Sequence, residues 1–375
     1  MTHDQILLHL SLIEDAGPAA IKNIVERMPE GVRLQDLYGM SDADVTQLFH
    51  ISPLSAQKIV AGLASKRRLE RELELITTFS ISWMPITSDQ YPLLLKAIHL
   101  PPAILYWRGT LPTHDRMIAF VGARRANEYA QLVIAKLVPA LVAHGWVIVS
   151  GGALGADAMA HQATMDVGGK TVVVLGSGLL RPSPGSHMQL FDNVVSSGGA
   201  VISSFPLEME ALPGHFPARN RIISGLSRGV VVVQAADKSG TRITADCALE
   251  QGRDVFAIPG SIDDELSSGC HALIQDGAKL VHSVADILRE YGQDPIAQPF
   301  KPAVRDQEMP VPEIDESPES RLKNLIVRSC AQPMAVDELL NLSGLSLGEL
   351  NALLFDLQLN GFIEQNFMGK WKRCG

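Results

Sequence analysis

The sequence predicts an α/β fold in which a doubly wound, mostly parallel sheet carries a helical domain before it and a smaller domain after it. Three observations lead there. From Arg116 onward, short and nearly continuous Val/Ile runs alternate with amphipathic helical stretches, the pattern of strands buried on both faces of a sheet that helices cover. Most of those runs end in a loop rich in Gly and Ser, at the sheet end where an open α/β fold holds its ligands. Residues 292–318 are rich in Pro and acid with no sustained period, which reads as a linker to a separate C-terminal unit.

In chain order, residues 1–85 read as short helices forming an N-terminal helical domain. Two segments, "EDAGPAAIKNIVERM" and "HISPLSAQKIVAGL", share one plan: a turn with Gly or Pro, then a helix with apolar spacing. Two readings stay open for them. Either the turns offer backbone N–H groups to phosphates, as in helix-hairpin-helix units, or Gly-Pro and Ser-Pro simply start the helices of a small bundle. A connecting stretch, "SDQYPLLLKAIHLPPAILYWRGTL", leads into the sheet domain, assigned to residues 86–291. Its expected strands are "MIAFVG", "WVIVSGG", "TVVVLGSG", "AVISSF", "GVVVVQA" and "DVFAIPGS", with "AKLVHS" as a further candidate. Such a βα repeat makes an extended Rossmann-like domain. Beyond the linker, residues 319–375 hold helical segments at 319–330, 335–342 and 346–360 and an extended tail, "GFIEQNFMGKWKRCG", together suggesting a winged helix.

Bulk properties narrow the function classes. The chain has 375 residues, 46% hydrophobic and 19% charged, as in ordinary globular proteins of two or three domains. No apolar run approaches the ~18 residues that cross a bilayer, and no basic-then-apolar leader opens the chain, so a cytoplasmic location without a membrane partner is expected. Cys247, Cys270, Cys330 and Cys374 form no CxxC pair and are expected as reduced thiols. The formal net charge of −9 argues against a broad basic footprint for nucleic acid. Any anion site must be local.

The loops at the predicted carboxyl ends of the strands are "GARRAN" (122–127), "GGALGAD" (151–157), "GSGLLRPSPGSH" (176–187), "SFPLEMEALPGHFPARNR" (204–221), "ADKSGTR" (236–242) and "PGS" (259–261). Small residues let a ligand approach the backbone, and Arg124, Arg125, Arg219, Arg221 and Arg242 add forks suited to phosphate. In "FPARNRIISGLS" the spacing predicts a helix over 218–226, with Arg219 and Arg221 in its first turn. Cations there oppose the macrodipole at ~0.3–1 kcal/mol each. An anion bound at that terminus explains them; pairing with Glu208 or Glu210 explains them equally well.

No GxGxxG follows a strand and no GxxxxGK[ST] occurs, which argues against a dinucleotide-dependent dehydrogenase and a P-loop ATPase. Asp157 and His161 share a helix face at i, i+4. They admit a base-and-orienter or metal-ligand reading, but no third ligand is evident, so structural roles, no metal and no cofactor are expected. Cys270 and His271 read as neither metal ligands nor a nucleophile pair, and Lys170, preceding its strand, falls at the sheet end away from the loops.

These loops, in this order, resemble the bacterial DNA-processing protein A family (DprA, also called Smf). The resemblance runs from about 91 to 288 and is carried by "YPLLLKAIHLPPAILYWRG", "FVGARRANEYA", "VSGGALGADAMAHQATMDVGGKTVVVLGSGL", "FPARNRIISGLSRGVVVVQA", "KSGTRITADCALEQGRDVFAIPG" and "LIQDGAKLV". It implies a single-stranded DNA-binding protein without catalytic turnover, which protects incoming strands in natural transformation and helps load the recombinase RecA. It also implies a homodimer through the Rossmann-like domain, a SAM-like N-terminal domain and a C-terminal winged helix. The DNA site it implies comprises Arg124 with Arg125, Gly176, Ser177 and Gly178, then Arg219, Asn220 and Arg221, with Ser239, Gly240 and Thr241 as the last wall. Phe216 either stacks on a base, worth ~1–3 kcal/mol, or packs under the loop.

The chain departs from the family pattern in places. A Tyr-Pro followed by a basic residue is replaced by Ser183, Pro184 and Gly185, leaving Arg181 as a substitute the pattern does not establish. "GALG" stands for Leu-Ala-x-Gly, and Gln234 stands where a Glu is frequent. These changes spare the fold and bear on DNA affinity. The third C-terminal helix, "SLGELNALLFDLQLN", has no Lys or Arg and carries Glu349 and Asp356; with "KWKR" (370–373) as the basic cluster, a protein-contact module is expected rather than a duplex reader. The rival from another class is a nucleotide or nucleoside-monophosphate hydrolase with Asp157 or His161 as acid/base, although "ADKSGTRITAD" lacks the Glu of the matching Pro-Gly-Gly-x-Gly-Thr-x-x-Glu loop. A third reading makes the C-terminal unit a regulator on duplex DNA.

Overall fold

The computed structural model describes residues 1–14, 16–237, 239–292, 318–330, 334–360, 362–365 and 371–373. The chain divides into two compact units, Met1–Ala303 and Val304–Gly375.

The first unit opens with five helices: α1 (His3–Ser11), α2 (Pro18–Glu26), α3 (Asp42–Phe49), α4 (Pro53–Leu63) and α5 (Arg67–Thr78). The Gly-Pro and Ser-Pro turns do start α2 and α4, with Pro18 and Pro53 at the first helical position. A missing N–H costs nothing there, because that donor has no partner within the helix. Ser52 accepts the N–H of Ser55 at 3.2 Å and closes the end of α4. The buried faces of these helices share one hydrophobic core with Ile104, Tyr106, Val173, Leu175 and Val201 of the sheet.

The sheet has nine strands: β1 (Ser82–Pro85), β2 (Ile104–Gly109), β3 (Met117–Val121), β4 (Val147–Ser150), β5 (Thr171–Val174), β6 (Ala200–Ser203), β7 (Gly229–Val232), β8 (Asp254–Ala257) and β9 (Lys279–Leu280), in the order β1-β2-β6-β5-β4-β3-β7-β8-β9. All seven expected strands are present and pair in parallel. The sequence reading missed β1 and β2, which it treated as a connection; they pair antiparallel with each other, and β2 pairs antiparallel with β6. The Val/Ile runs lack alternation because both faces are covered. In β3, Met117, Ala119 and Val121 enter one core, while Ile118 and Phe120 enter another.

The first of those faces is covered by α6 (Leu93–Lys96), α10 (His215–Leu226), α11 (Gly240–Glu250) and α12 (Glu265–Gln275). The other carries α7 (Glu128–Ala143), α8 (Ala156–Asp166) and α13 (Val284–Glu290), with α9 (Met188–Ser196) beside the N-terminal helices. Because β3 lies between β4 and β7, the order reverses there, and the loops after β3 and β7 border the switch-point crevice.

The second unit contains α14 (Pro318–Ser329), α15 (Val336–Ser343) and α16 (Leu347–Leu359), followed by the antiparallel pair β10 (Ile363–Gln365) and β11 (Trp371–Arg373), the expected winged-helix pattern. Its core joins Ile326, Leu339, Leu350, Leu354, Leu357, Ile363 and Trp371. Glu349 and Asp356, the two acids of the third helix, have structural partners. Glu349 accepts from the Ser346 N–H at 2.9 Å and hydroxyl at 2.6 Å, and Asp356 pairs with Lys323 at 2.9 Å. Lys370 of the basic cluster and Cys374 lie outside the described residues.

Candidate nucleic-acid interface

The helix carrying the two arginines begins at His215, three residues before the predicted start. Pro217 occupies its third position, still within the first turn, where a proline removes no intrahelical bond. Arg219 and Arg221 therefore lie in the second turn, beyond the reach of the dipole effect that made them look anomalous.

Arg219 is 5% exposed. Its Nη1 donates to the carbonyls of Gly151 and Val174, the latter at 2.6 Å, and its Nε donates to Asn220 Oδ1 at 3.1 Å. A side chain at Gly151 would overlap the guanidinium, so glycine there is a requirement of close approach. Asp157 accepts the N–H groups of Gly151 at 3.1 Å and Ala153 at 3.3 Å. The Gly151 peptide thus sits between acid and base, its N–H on Asp157 and its carbonyl on Arg219. Burial pushes the Asp157 carboxyl above its ordinary value, opposed by the Arg219 charge and the N–H donors. Burial likewise pulls Arg219 down, and Asp157 holds it up. Neither carboxylate proposed from the sequence is the partner: Glu208 pairs with Arg71 at 3.2 Å, and the counter-charge of Arg219 is Asp157.

The neighbouring residues bind α10 and α11 to the strand ends. Asn220 Nδ2 donates to the Gly240 carbonyl at 3.3 Å, and Thr241 Oγ1 donates to the Gly122 carbonyl at 3.1 Å. Gly178 donates its N–H to Met209 O at 2.8 Å, and a Cβ on it would strike the carbonyls of Pro206 and Leu207. A Cβ on Gly176 would come within 3.2 Å of the Phe216 ring. That half-buried ring has the Arg124 guanidinium 5.5 Å from its centroid and the Arg219 guanidinium at 5.8 Å. Arg124 and Arg125 occupy an exposed turn after β3, and neither is ion-paired among the described residues. The Oγ atoms of Ser177 and Ser239 are buried without a hydrogen-bond partner, and Ser239 immediately precedes α11.

Two of the five arginines fall outside this group. Arg242 is engaged with Asp276 at 2.9 Å and Asp237 at 3.5 Å. Arg221 is half-buried beside Tyr91 and Cys247, and burial draws its pKa down. The sequence reading missed the pair that closes the switch-point crevice. Gln234 Nε2 donates to Asn127 Oδ1 at 2.8 Å, and its Oε1 accepts the Asn127 N–H at 3.2 Å. The amide supplies both a donor and an acceptor there, whereas an ionised Glu, frequent at this position in the resembling family, would only accept. Adjacency in space, not spacing in sequence, reveals it.

Asp157 and His161 do not form a catalytic pair. His161 is fully buried and its Nδ1 lies 2.7 Å from Thr171 Oγ1, whose own proton goes to the Ile148 carbonyl at 2.7 Å. The imidazole must therefore donate from Nδ1, leaving Nε2 bare and unpartnered. Burial drives its pKa down to about 3. Among the described residues, no cluster of three or more His, Cys, Asp or Glu is placed to hold a metal, and no helix is long and apolar enough to cross a membrane.

Known proteins match most of the chain. The family model for DNA recombination-mediator protein A matches residues 82–292, and that for the DprA winged helix domain matches 307–366. DNA processing protein DprA of Bacillus subtilis is 44% identical over 225 residues, 60% of this chain and 75% of the relative. The X-ray structure of DNA processing protein A from Streptococcus pneumoniae superposes with a TM-score of 0.64 at 33% identity, covering 77% of this chain and 98% of that one. A structure of Helicobacter pylori DNA processing protein A, described for its single-stranded DNA binding mode, gives 0.50 at 26% identity over 56% of this chain and 95% of the other. On the extent of these matches, the chain belongs to the DNA-processing protein A (DprA/Smf) family.

Proposed function

We propose that the chain binds single-stranded DNA along the loops after β3, β5 and β7, protects incoming strands in natural transformation, and helps to load RecA on them as a homodimer joined through the sheet domain. The observation that carries this reading is Arg124, exposed and without an ion pair among the described residues, standing over the half-buried Phe216 ring at the carboxyl ends of the strands. Arg124 and Arg125 take phosphates, Gly240 and Thr241 offer N–H groups at the start of α11, and Gly176 leaves room for the Phe216 ring to meet a base. Arg219, Asn220 and Gly178 hold these loops in register, while Arg221 faces the opposite flank of α10.

The single-strand binding described for the Helicobacter pylori relative supports the same ligand. The hydrolase alternative lacks an accessible acid or base in Asp157 and His161, which are 6% and 0% exposed. One titration tests the proposal: labelled single strand, duplex and mononucleotide against the purified protein, with product analysis of the nucleotide arm. Preferential single-strand binding without turnover is expected. Equal duplex affinity, or release of base or ribose phosphate, would refute it.

A further inference from the structure

The flank of α10 opposite the DNA loops faces a half-open cleft of about 990 Å3, bordered within the first unit by α1, α2, α5 and the loop after β6. That volume lies at the upper end of the range for small-molecule sites, ~300–1,000 Å3. Its walls are largely apolar, with Ile13, Ile21, Ile104, Phe205 and Pro206 among them. The Phe205 ring is held flat by stacking on His215, the first residue of α10, at 4.4 Å and 27°. Most charges on the wall are engaged: Glu208 by Arg71 at 3.2 Å, Glu72 by the Leu207 N–H at 2.9 Å, and Arg68 by the Leu12 carbonyl at 3.2 Å. Glu14 stands exposed at the rim. Two guanidiniums on the wall, Arg67 and Arg221, have no hydrogen-bonded or ion-paired partner among the described residues. Arg221 is also half-buried, and a cation withdrawn from water without a counter-charge is unfavourable until an anion arrives.

We propose that this cavity binds a nucleoside monophosphate unit, its planar base against Phe205 and Pro206 and its phosphate on Arg221. The nucleotide identity rests on the DNA-binding reading above. The unit comes either from a free nucleotide or from the bound strand, since Ala218 and Arg221 line the cavity while Phe216 and Arg219 of the same helix serve the DNA loops. Occupancy therefore steadies the helix that both sites share.

The test uses the full chain, dTMP and ribose 5-phosphate as calorimetric ligands, and an oligonucleotide carrying one 5-iodouracil for photocrosslinking. Ala218→Trp fills the void from a half-buried helical position, and Arg221→Gln removes the charge without adding bulk. Binding of dTMP at least tenfold tighter than ribose 5-phosphate, weakened tenfold in both variants, supports a free-nucleotide site. A crosslink onto residues 204–209, lost in Ala218→Trp, supports seating of a strand nucleotide. Equal affinity for ribose 5-phosphate overturns the base contact. Wild-type protein that binds strand but neither takes up dTMP nor crosslinks at 204–209 overturns the cavity proposal alone. Failure to bind strand or nucleotide overturns both proposals.

Discussion

Replacing Arg219 by Met removes the charge that Asp157 opposes and leaves the carbonyls of Gly151 and Val174 without their donor. Met keeps most of the side-chain volume, so the loss is electrostatic rather than a cavity. Asp157 and Arg219 do not touch, but losing the cation leaves a buried carboxylate without its offsetting charge and two carbonyls without their donor, a cost of ~3–5 kcal/mol. With the cation gone, the Asp157 carboxyl rises further above its unfolded value. Its ionised form then opposes folding at neutral pH, and the penalty is relieved as pH falls through the raised folded value. Urea unfolding at pH 7 and pH 5 measures this. The expected loss is ~3–5 kcal/mol at pH 7 and clearly smaller at pH 5 relative to wild type, with Asp157→Asn restoring part of it. A loss below about 1 kcal/mol, the scale of an exposed pair, combined with a tenfold fall in single-strand affinity, would refute the structural role. Arg219 would then be an open phosphate ligand.

Three further outcomes follow from the same contacts. Buried His161, with its pKa near 3, takes up protons only on unfolding, so stability falls as pH drops from about 6.5; between pH 7 and 5 the loss from this residue is about 2 kcal/mol, and His161→Asn should shrink the pH dependence of the urea midpoint accordingly. Ser177→Ala removes a fully buried hydroxyl with no partner, so thermal stability should hold or rise with single-strand affinity unchanged; a lower Tm would contradict the absence of a partner. Gln234→Glu trades the donor facing Asn127 Oδ1 for a carboxylate near Asp264, and the expected destabilisation of ~1–3 kcal/mol should be largest above pH 6 in denaturant titrations.

The parallel strands were legible because strands such as β5, with Val172, Val173 and Val174 all fully buried, have no polar face to interrupt the run. β1 and β2 were not, since prolines end the one and shortly precede the other, and they pair antiparallel on the side of the sheet away from the βα repeat. The start of α10 was misplaced because Pro217 reads as a breaker, yet it sits within the first helical turn. Arg219 was recognised as special, but its burial was not: its carbonyl partners lie 68 and 45 residues away in sequence. Only the assembled sheet brings them together. Arg124 was readable as a cation, whereas its place above Phe216 depends on Gly176 leaving room for the ring.

The salt dependence of single-strand binding tests the central claim most directly. For a single strand, log Kobs falls with log salt at a slope of about −0.7 per phosphate neutralised. If Arg124 holds a phosphate at the sheet edge, Arg124→Ala should weaken binding and make the slope shallower by about 0.7, with the fold intact by circular dichroism. An unchanged affinity and slope in the folded variant would contradict the account.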